Sequence, residues 1–173
     1  MLVIIRRYED LDEKKLMEVY AGSNGENAEE FWPGEDRACA VQKVEQGFLD
    51  FLRTEFFTGP CPAYWIWEEE GRWVSALRTN RLGPGFYYLE ALETRPDSRR
   101  QGCAARLLGE VIRALKEQGP FRLCDCVGAG NVPSLRAHES CGFRAVREPG
   151  WDYLRDAPDE GTVGMELRRP EQA

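Results

Sequence analysis

The feature that most constrains this chain is an abrupt change of hydrophobic period between Tyr87 and Gln118. Tyr87–Thr94 reads Tyr-Tyr-Leu-Glu-Ala-Leu-Glu-Thr, aromatic and aliphatic residues that suit a pleated strand. Pro96 and Asp97 end it, because proline has no amide hydrogen for a ladder and favours a turn. From about Arg100 the period becomes helical, with Leu107, Leu108, Val111, Ile112 and Leu115 along one face. The loop between carries Arg95, Arg99, Arg100 and Gly102, followed by Cys103 and Ala104. Such a loop has the makings of an anion site: amides at a helix N-terminus, a positive dipole end, and a glycine that admits close approach. Strand–glycine–helix turns are also common, and solvated arginines are the alternative.

The flanking sequence alternates strand and helix patterns. Leu2–Arg7 reads as a first strand and Leu11–Tyr20 as a helix, with a break expected at Gly22–Gly25. An acidic segment, Glu26–Asp36, precedes a second helix from about Ala38 to Arg53. Ala63–Glu69 and Trp73–Arg81 form an expected hairpin about Glu70-Gly71. Trp65, Trp67 and Trp73 there suit either a substrate wall or core packing. After the central helix, Phe121–Val127 reads as a strand and Val132–Cys141 as a short helix capped by Asn131. Phe143–Arg147 and Thr162–Arg168 close the pattern, with Trp151–Asp159 expected to be a loop.

At 173 residues the chain is long enough to bury a real core as one domain. Its net charge of −7 argues against a general nucleic-acid binder, which needs a basic face, and fits a cationic or amine substrate. No apolar run approaches the roughly 20 residues of a membrane span, and no apolar block of a signal peptide is present. The expectation is a cytoplasmic protein, monomeric or homodimeric, that binds neither membrane nor nucleic acid. Its six cysteines then read as free thiols. Cys124 and Cys126 share a strand face, but with a single histidine in the chain no metal site is expected.

The order Pro96-x-x-Arg99-x-x-Gly102-x-Ala104 after a strand resembles the acetyl-CoA signature of the GNAT superfamily of N-acetyltransferases, Arg/Gln-x-x-Gly-x-Gly/Ala. Asn131-Val-Pro-Ser134-Leu-Arg-Ala-His138-Glu139-Ser-Cys-Gly142-Phe143 is similar to that family's Asn-x-x-Ala-x-x-Leu-Tyr-Glu-x-x-Gly-Phe segment, at the same spacing. The departures from the pattern include Arg100, which stands where glycine is usual, and His138, which stands where tyrosine is usual. The resemblance is sharp from Tyr88 to Phe143 and rests on pattern alone elsewhere. It implies an α/β fold over residues 1–173, a mixed central sheet of about six to seven strands flanked by about four helices.

It also implies acetyl-CoA as cosubstrate and a primary amine as acceptor, attacking directly in a ternary complex. The amides of Arg100, Gln101, Gly102, Cys103 and Ala104 would hold the pyrophosphate, with Arg99 nearby. The backbone of Leu92 and Thr94 would pair with the pantetheine arm, and the same strand would offer an amide to the thioester oxygen. Asn131, which either positions the cofactor or caps its helix, completes the cofactor set with Ser134. The region between the first two helices would line the acceptor groove, so Glu26, Glu29, Glu30, Glu35 and Asp36 either attract the amine or form a solvated surface.

A lysine-type amine has a pKa of about 10.4, so roughly one molecule in a few thousand is neutral at pH 7. A base is therefore useful. Tyr88-Leu89-Glu90 resembles the Tyr-Leu-Glu of polyamine-acetyltransferase-like members, which makes Glu90 the base candidate and a salt-bridged strand carboxylate the alternative. Glu93 is second choice, and strand alternation sends it to the face opposite Glu90. His138 either donates the proton to the departing thiolate or is a packed helix residue. Cys103, at a helix N-terminus, is expected to have a lowered thiol pKa or simply to pack as a small residue. A module that binds acyl-CoA without turnover is the opposing reading. A P-loop is disfavoured, because its lysine and Ser/Thr are missing.

Overall fold

The computed structural model describes residues 1–169. A short strand β1 (Leu2–Ile5) leads into α1 (Glu13–Val19), whose N-terminus is capped by Asp12 accepting from the Lys15 amide at 3.0 Å. Helix α2 (Ala21–Phe31) follows at once, and α3 (Arg37–Phe51), capped by Asp36, ends in a wider π-type turn over Leu52–Phe56. Three strands then form a meander: β2 (Ala63–Glu69), β3 (Arg72–Gly83) and β4 (Phe86–Thr94). Helix α4 (Cys103–Lys116), strand β5 (Phe121–Gly128), helix α5 (Val132–Ser140) and strand β6 (Arg144–Arg147) come next. A small hairpin, β7 (Gly150–Asp152) and β8 (Ala157–Asp159), precedes β9 (Thr162–Arg169).

Seven strands form one sheet in the order β1-β2-β3-β4-β5-β9-β6. Every pairing is antiparallel except β4 with β5. Two cores cover its faces. On one, α4 packs Leu107, Leu108, Val111 and Leu115 against Trp65, Leu77, Leu89 and Leu123. On the other, α1 and the turn after α3 pack Leu16, Val19, Leu52 and Phe56 against Tyr64, Ile66 and Ala76. Burial of such side chains, roughly 1.5–3 kcal/mol each, is the main force holding helices to sheet. Trp65 and Trp73 are buried, and Trp65 Nε1 donates to Thr79 Oγ1 at 2.8 Å, so both belong to the core.

Three sequence expectations need correction. Gly22–Gly25 does not break the chain: α2 runs through both glycines. A Cβ on Gly22 would lie 2.2 Å from Arg99 Nη2, so glycine there permits a close approach rather than a turn. The Trp151–Asp159 segment is not all loop, since its ends pair as β7 and β8. Finally, β4 does not alternate regularly. Ala76 pairs with Glu93 and Arg78 with Glu90, so Leu77 alone on β3 opposes both Ala91 and Leu92 on β4 and a bulge lies at Ala91, whose φ is +55°. The bulge reverses the expected parity and brings Glu90 and Glu93 to the same face.

Candidate functional site

The site is made by a fork. Strands β4 and β5 pair in parallel only at Phe86, Tyr87 and Tyr88 with Arg122, Leu123 and Cys124. Beyond that they separate, leaving the C-terminal end of β4 with an open edge, at the position where parallel strands expose ligand sites. Arg95 donates its amide to Val74 O on β3, so alternation turns the Thr94 and Leu92 amides towards the open edge. The Thr94 amide indeed has no strand partner and is taken up by Glu93 Oε1 at 3.1 Å.

A cleft of about 630 Å³ opens beside this edge. Its walls are β4, the loop before α4, the start of α4, the exposed side of α5 and Glu26 of α2. Of the residues expected to bind a cofactor, Leu92, Thr94, Arg99, Arg100, Gly102, Cys103, Ala104, Asn131 and Ser134 line it. Gln101 does not; its side chain turns back to donate to Asp97 O at 3.3 Å. Arg100 and Gly102 both have left-handed backbones, φ +62° and +77°. Alternating handedness of this kind curls successive amides towards a common point, a nest for an anion. No atom would meet a Cβ on Gly102 within 4 Å, which leaves the space in front of the loop open. Arg99 reaches across the cleft mouth: Nε donates to Thr94 O at 3.3 Å and Nη2 pairs with Glu93 Oε1 at 3.2 Å.

The Cys103 thiol does not behave as its helix position suggested. It is buried, and burial pushes its pKa up rather than letting the helix N-terminus lower it. Asn131 Oδ1 accepts from the Ser134 amide at 3.2 Å, so it caps α5 while also lining the cleft.

Neither expected catalytic side chain lines the cleft. Glu90 sits one residue before the bulge, at the fork, on the α1 side of the sheet. Its Oε2 accepts from Arg78 Nε at 3.2 Å and from Asn80 Nδ2 at 2.8 Å. His138 is buried, 0 % exposed, with its ring edge-on to Phe143 and its two nitrogens facing Ser134 O and Asp125 Oδ2. This placement matches the packed-helix alternative and keeps the imidazole out of the cleft. Of the acidic segment, Glu26 lines the cleft; Glu29 pairs with Arg37, Glu35 with Lys43, and Asp36 caps α3. Arg136 and Ala137 also line the cleft and went unread, because one turn of an amphipathic helix does not reveal which polar face meets a ligand. No cluster of His, Cys, Asp and Glu able to hold a metal occurs among the described residues. No helix among them is long and apolar enough to cross a membrane.

Residues 25–143 match the model of the Acetyltransferase (GNAT) family. An aminoglycoside N(6')-acetyltransferase type 1 from Serratia marcescens is 39% identical over 56 residues, which span 32% of this chain and 38% of that protein. The fold is similar to that of the PaiA N-acetyltransferase of Thermoplasma acidophilum, solved in complex with coenzyme A: TM-score 0.65, 14% identity, 98% of this chain and 99% of that one. It is also similar to the ribosomal-protein-S18-alanine N-acetyltransferase of Escherichia coli: TM-score 0.61, 20% identity, 100% of this chain and 97% of that one.

Proposed function

The chain belongs to the GNAT acetyltransferase family, whose members use acetyl-CoA, and from that premise we propose that it transfers the acetyl group to a primary amine by direct attack in a ternary complex. The observation that carries this reading is the fork. The anion nest and the open edge of β4 line the cleft, while the Glu90 carboxylate, held by Arg78 and Asn80 at the apex, stands outside it on the α1 side of the sheet. A donor held in the cleft and an amine arriving from the α1 side would thus meet between β4 and β5.

Acetyl-CoA supplies an acetyl thioester. The chain's own residues supply the rest. Amides of residues 100–104 and the guanidiniums of Arg99 and Arg100 fit a pyrophosphate, and the Leu92 and Thr94 backbone fits the pantetheine amides as an added strand. Glu93 and Arg99 satisfy the Thr94 backbone groups until that arm takes their place. Glu90 accepts the proton that the amine must lose, directly or through water, and Asn80 and Arg78 fix its orientation. His138 is assigned to holding α5 in place, not to protonating the thiolate. Glu26 at the cleft adds a local negative charge suited to a cationic amine.

One observation favours a second reading, binding of acyl-CoA without turnover: neither Glu90 nor His138 lines the cleft. A mass-spectrometric screen decides. Purified protein is incubated with acetyl-CoA and panels of polyamines, aminoglycosides, amino acids and peptides, scoring acetylated product and free CoA together. Stoichiometric product with at least one amine supports transfer. CoA binding with no product from any amine supports the binding module.

A further inference from the structure

This inference rests on the acetyl-transfer reading and concerns a residue on the far side of β4. The bulge at Ala91 leaves a left-handed, non-glycine residue in the middle of a strand, a conformation that persists only where its surroundings hold it. What holds it is Tyr20, between α1 and α2. Its hydroxyl donates to Ala91 O at 2.6 Å and accepts from Tyr64 Oη at 2.7 Å. Tyr20 and Tyr64 are 5 % and 0 % exposed, so water does not compete.

The chain of donors has a fixed direction. Tyr64 is the cross-strand neighbour of Arg78, whose guanidinium can only donate. Tyr64 therefore gives its proton to Tyr20, and Tyr20 gives its own to Ala91 O. Burial pushes the Tyr64 phenol up to about 12 against the opposing charge of Arg78, and pushes Tyr20 up as well, so both stay donors throughout the physiological range. The peptide joining Ala91 to Leu92 is planar and trans, so the Leu92 N–H points opposite to the Ala91 carbonyl. That direction is towards the open edge of β4, where Leu92 lines the cleft.

We propose that Tyr20, backed by Tyr64, is a positioning residue that aims the Leu92 amide at the acyl oxygen of the donor. A hydrogen bond to the carbonyl of a peptide also polarises the N–H at its other end, which strengthens that amide as a donor to a developing oxyanion. Deleting the Tyr20 hydroxyl leaves the aromatic contacts with Phe48 and Tyr64 in place but frees the bulge.

The test uses Tyr20→Phe and Tyr64→Phe with acetyl-CoA labelled at the carbonyl carbon, an unreactive ketone analogue that keeps the carbonyl, and CoA itself. On wild-type protein the thioester carbonyl stretch should move to lower frequency on binding, and the ketone should bind more tightly than CoA. In Tyr20→Phe the stretch should return towards its free value, and the ketone preference over CoA should fall about tenfold. The affinity for CoA should stay within about twofold of wild type, while kcat falls more than KM rises. Tyr64→Phe, which keeps the near donor, should give a smaller change in the same direction. An unchanged carbonyl shift and ketone preference in Tyr20→Phe would overturn the inference alone. Wild-type protein that binds neither CoA nor the ketone would overturn the transfer reading and this inference with it.

Discussion

His138 Nε2 lies 2.8 Å from Asp125 Oδ2, and the pair joins α5 to β5 inside the core. Nδ1 is 2.8 Å from Ser134 O, which can only accept, so that nitrogen carries a proton. A neutral imidazole would then present a lone pair to a carboxylate at Nε2. A second proton must therefore sit on Nε2 or on Asp125, even though the contact is not aligned as a hydrogen bond at Nε2. The pair fixes α5, which presents Asn131, Ser134 and Arg136 to the cleft.

Asp125→Ala should cost about 3–5 kcal/mol, the usual result of stranding one member of a buried pair. Asp125→Leu combined with His138→Phe should recover most of that loss, because nothing charged is then left behind. Urea unfolding of both variants measures this; a single variant within about 1 kcal/mol of wild type would show that the pair contributes little.

The same pair sets a pH dependence. Burial lowers the His138 pKa, but Asp125 and the Ser134 carbonyl outweigh it, and the net shift is upward. The Asp125 pKa is raised too, by burial first. Both groups thus hold protons more tightly in the folded protein than in the unfolded chain. The stability due to His138 is complete below the unfolded value of about 6.5 and is lost as pH rises through the folded value. Melting curves from pH 6 upward should show wild type losing stability relative to Asp125→Leu/His138→Phe, which should be flatter over that window.

The strand–loop–helix from Tyr87 to Gln118 was legible because its signals are local: Pro96 after a strand, Gly102 before a helix, a long apolar face on α4. Asn131 was legible as a cap for the same reason. What the sequence hid was set by distant partners. The bulge at Ala91 has no glycine to announce it, and its carbonyl finds its partner in Tyr20, 71 residues away. The glycines of α2 looked like breakers because their packing against Arg99 and Arg37 is visible only in three dimensions. His138 looked available for chemistry until Asp125 appeared beside it. Helix-dipole reasoning on Cys103 failed because burial outweighed it.

Ala104, at the start of α4, lines the cleft without any backbone constraint. Ala104→Glu puts a carboxylate where phosphate must meet amides, at a helix end where acidic residues do not disturb folding. CoA affinity measured by calorimetry should fall at least about tenfold while the melting temperature stays near wild type. Unchanged affinity would move the pyrophosphate elsewhere.

Arg100 occupies a left-handed backbone at φ +62°, a conformation that disfavours side chains by about 1–2 kcal/mol. Glycine relieves that strain but makes the unfolded chain freer, by about 0.5–1 kcal/mol. Arg100→Gly should therefore be as stable as wild type or up to about 1.5 kcal/mol more stable. It should also bind CoA more weakly and with less salt dependence, because one cation has left the cleft. Denaturant unfolding and a salt titration of CoA binding test the two halves separately. Tighter CoA binding by Arg100→Gly would remove the guanidinium from the phosphate site.

Glu90 and Glu93 share a face because of the bulge, so the sheet alone does not tell which is the base. Their partners differ. Glu93 lines the cleft and closes on Arg99 and the Thr94 amide, groups that the donor's arm would claim. Glu90 stands at the fork's apex with Oε2 held by Arg78 and Asn80. Glu90→Gln keeps an oxygen for both donors but cannot take a proton, so kcat should fall by about 10²–10⁴ with CoA affinity unchanged. Raising the pH until the amine is largely neutral should recover part of that loss, since the missing base is then needed less. Glu93→Gln should instead shift the KM for acetyl-CoA and leave kcat within about threefold, because it alters only what the open strand edge binds. Steady-state kinetics of both variants across pH, alongside CoA calorimetry, distinguish them. A larger and pH-recoverable kcat deficit in Glu93→Gln than in Glu90→Gln would transfer the role of base to Glu93.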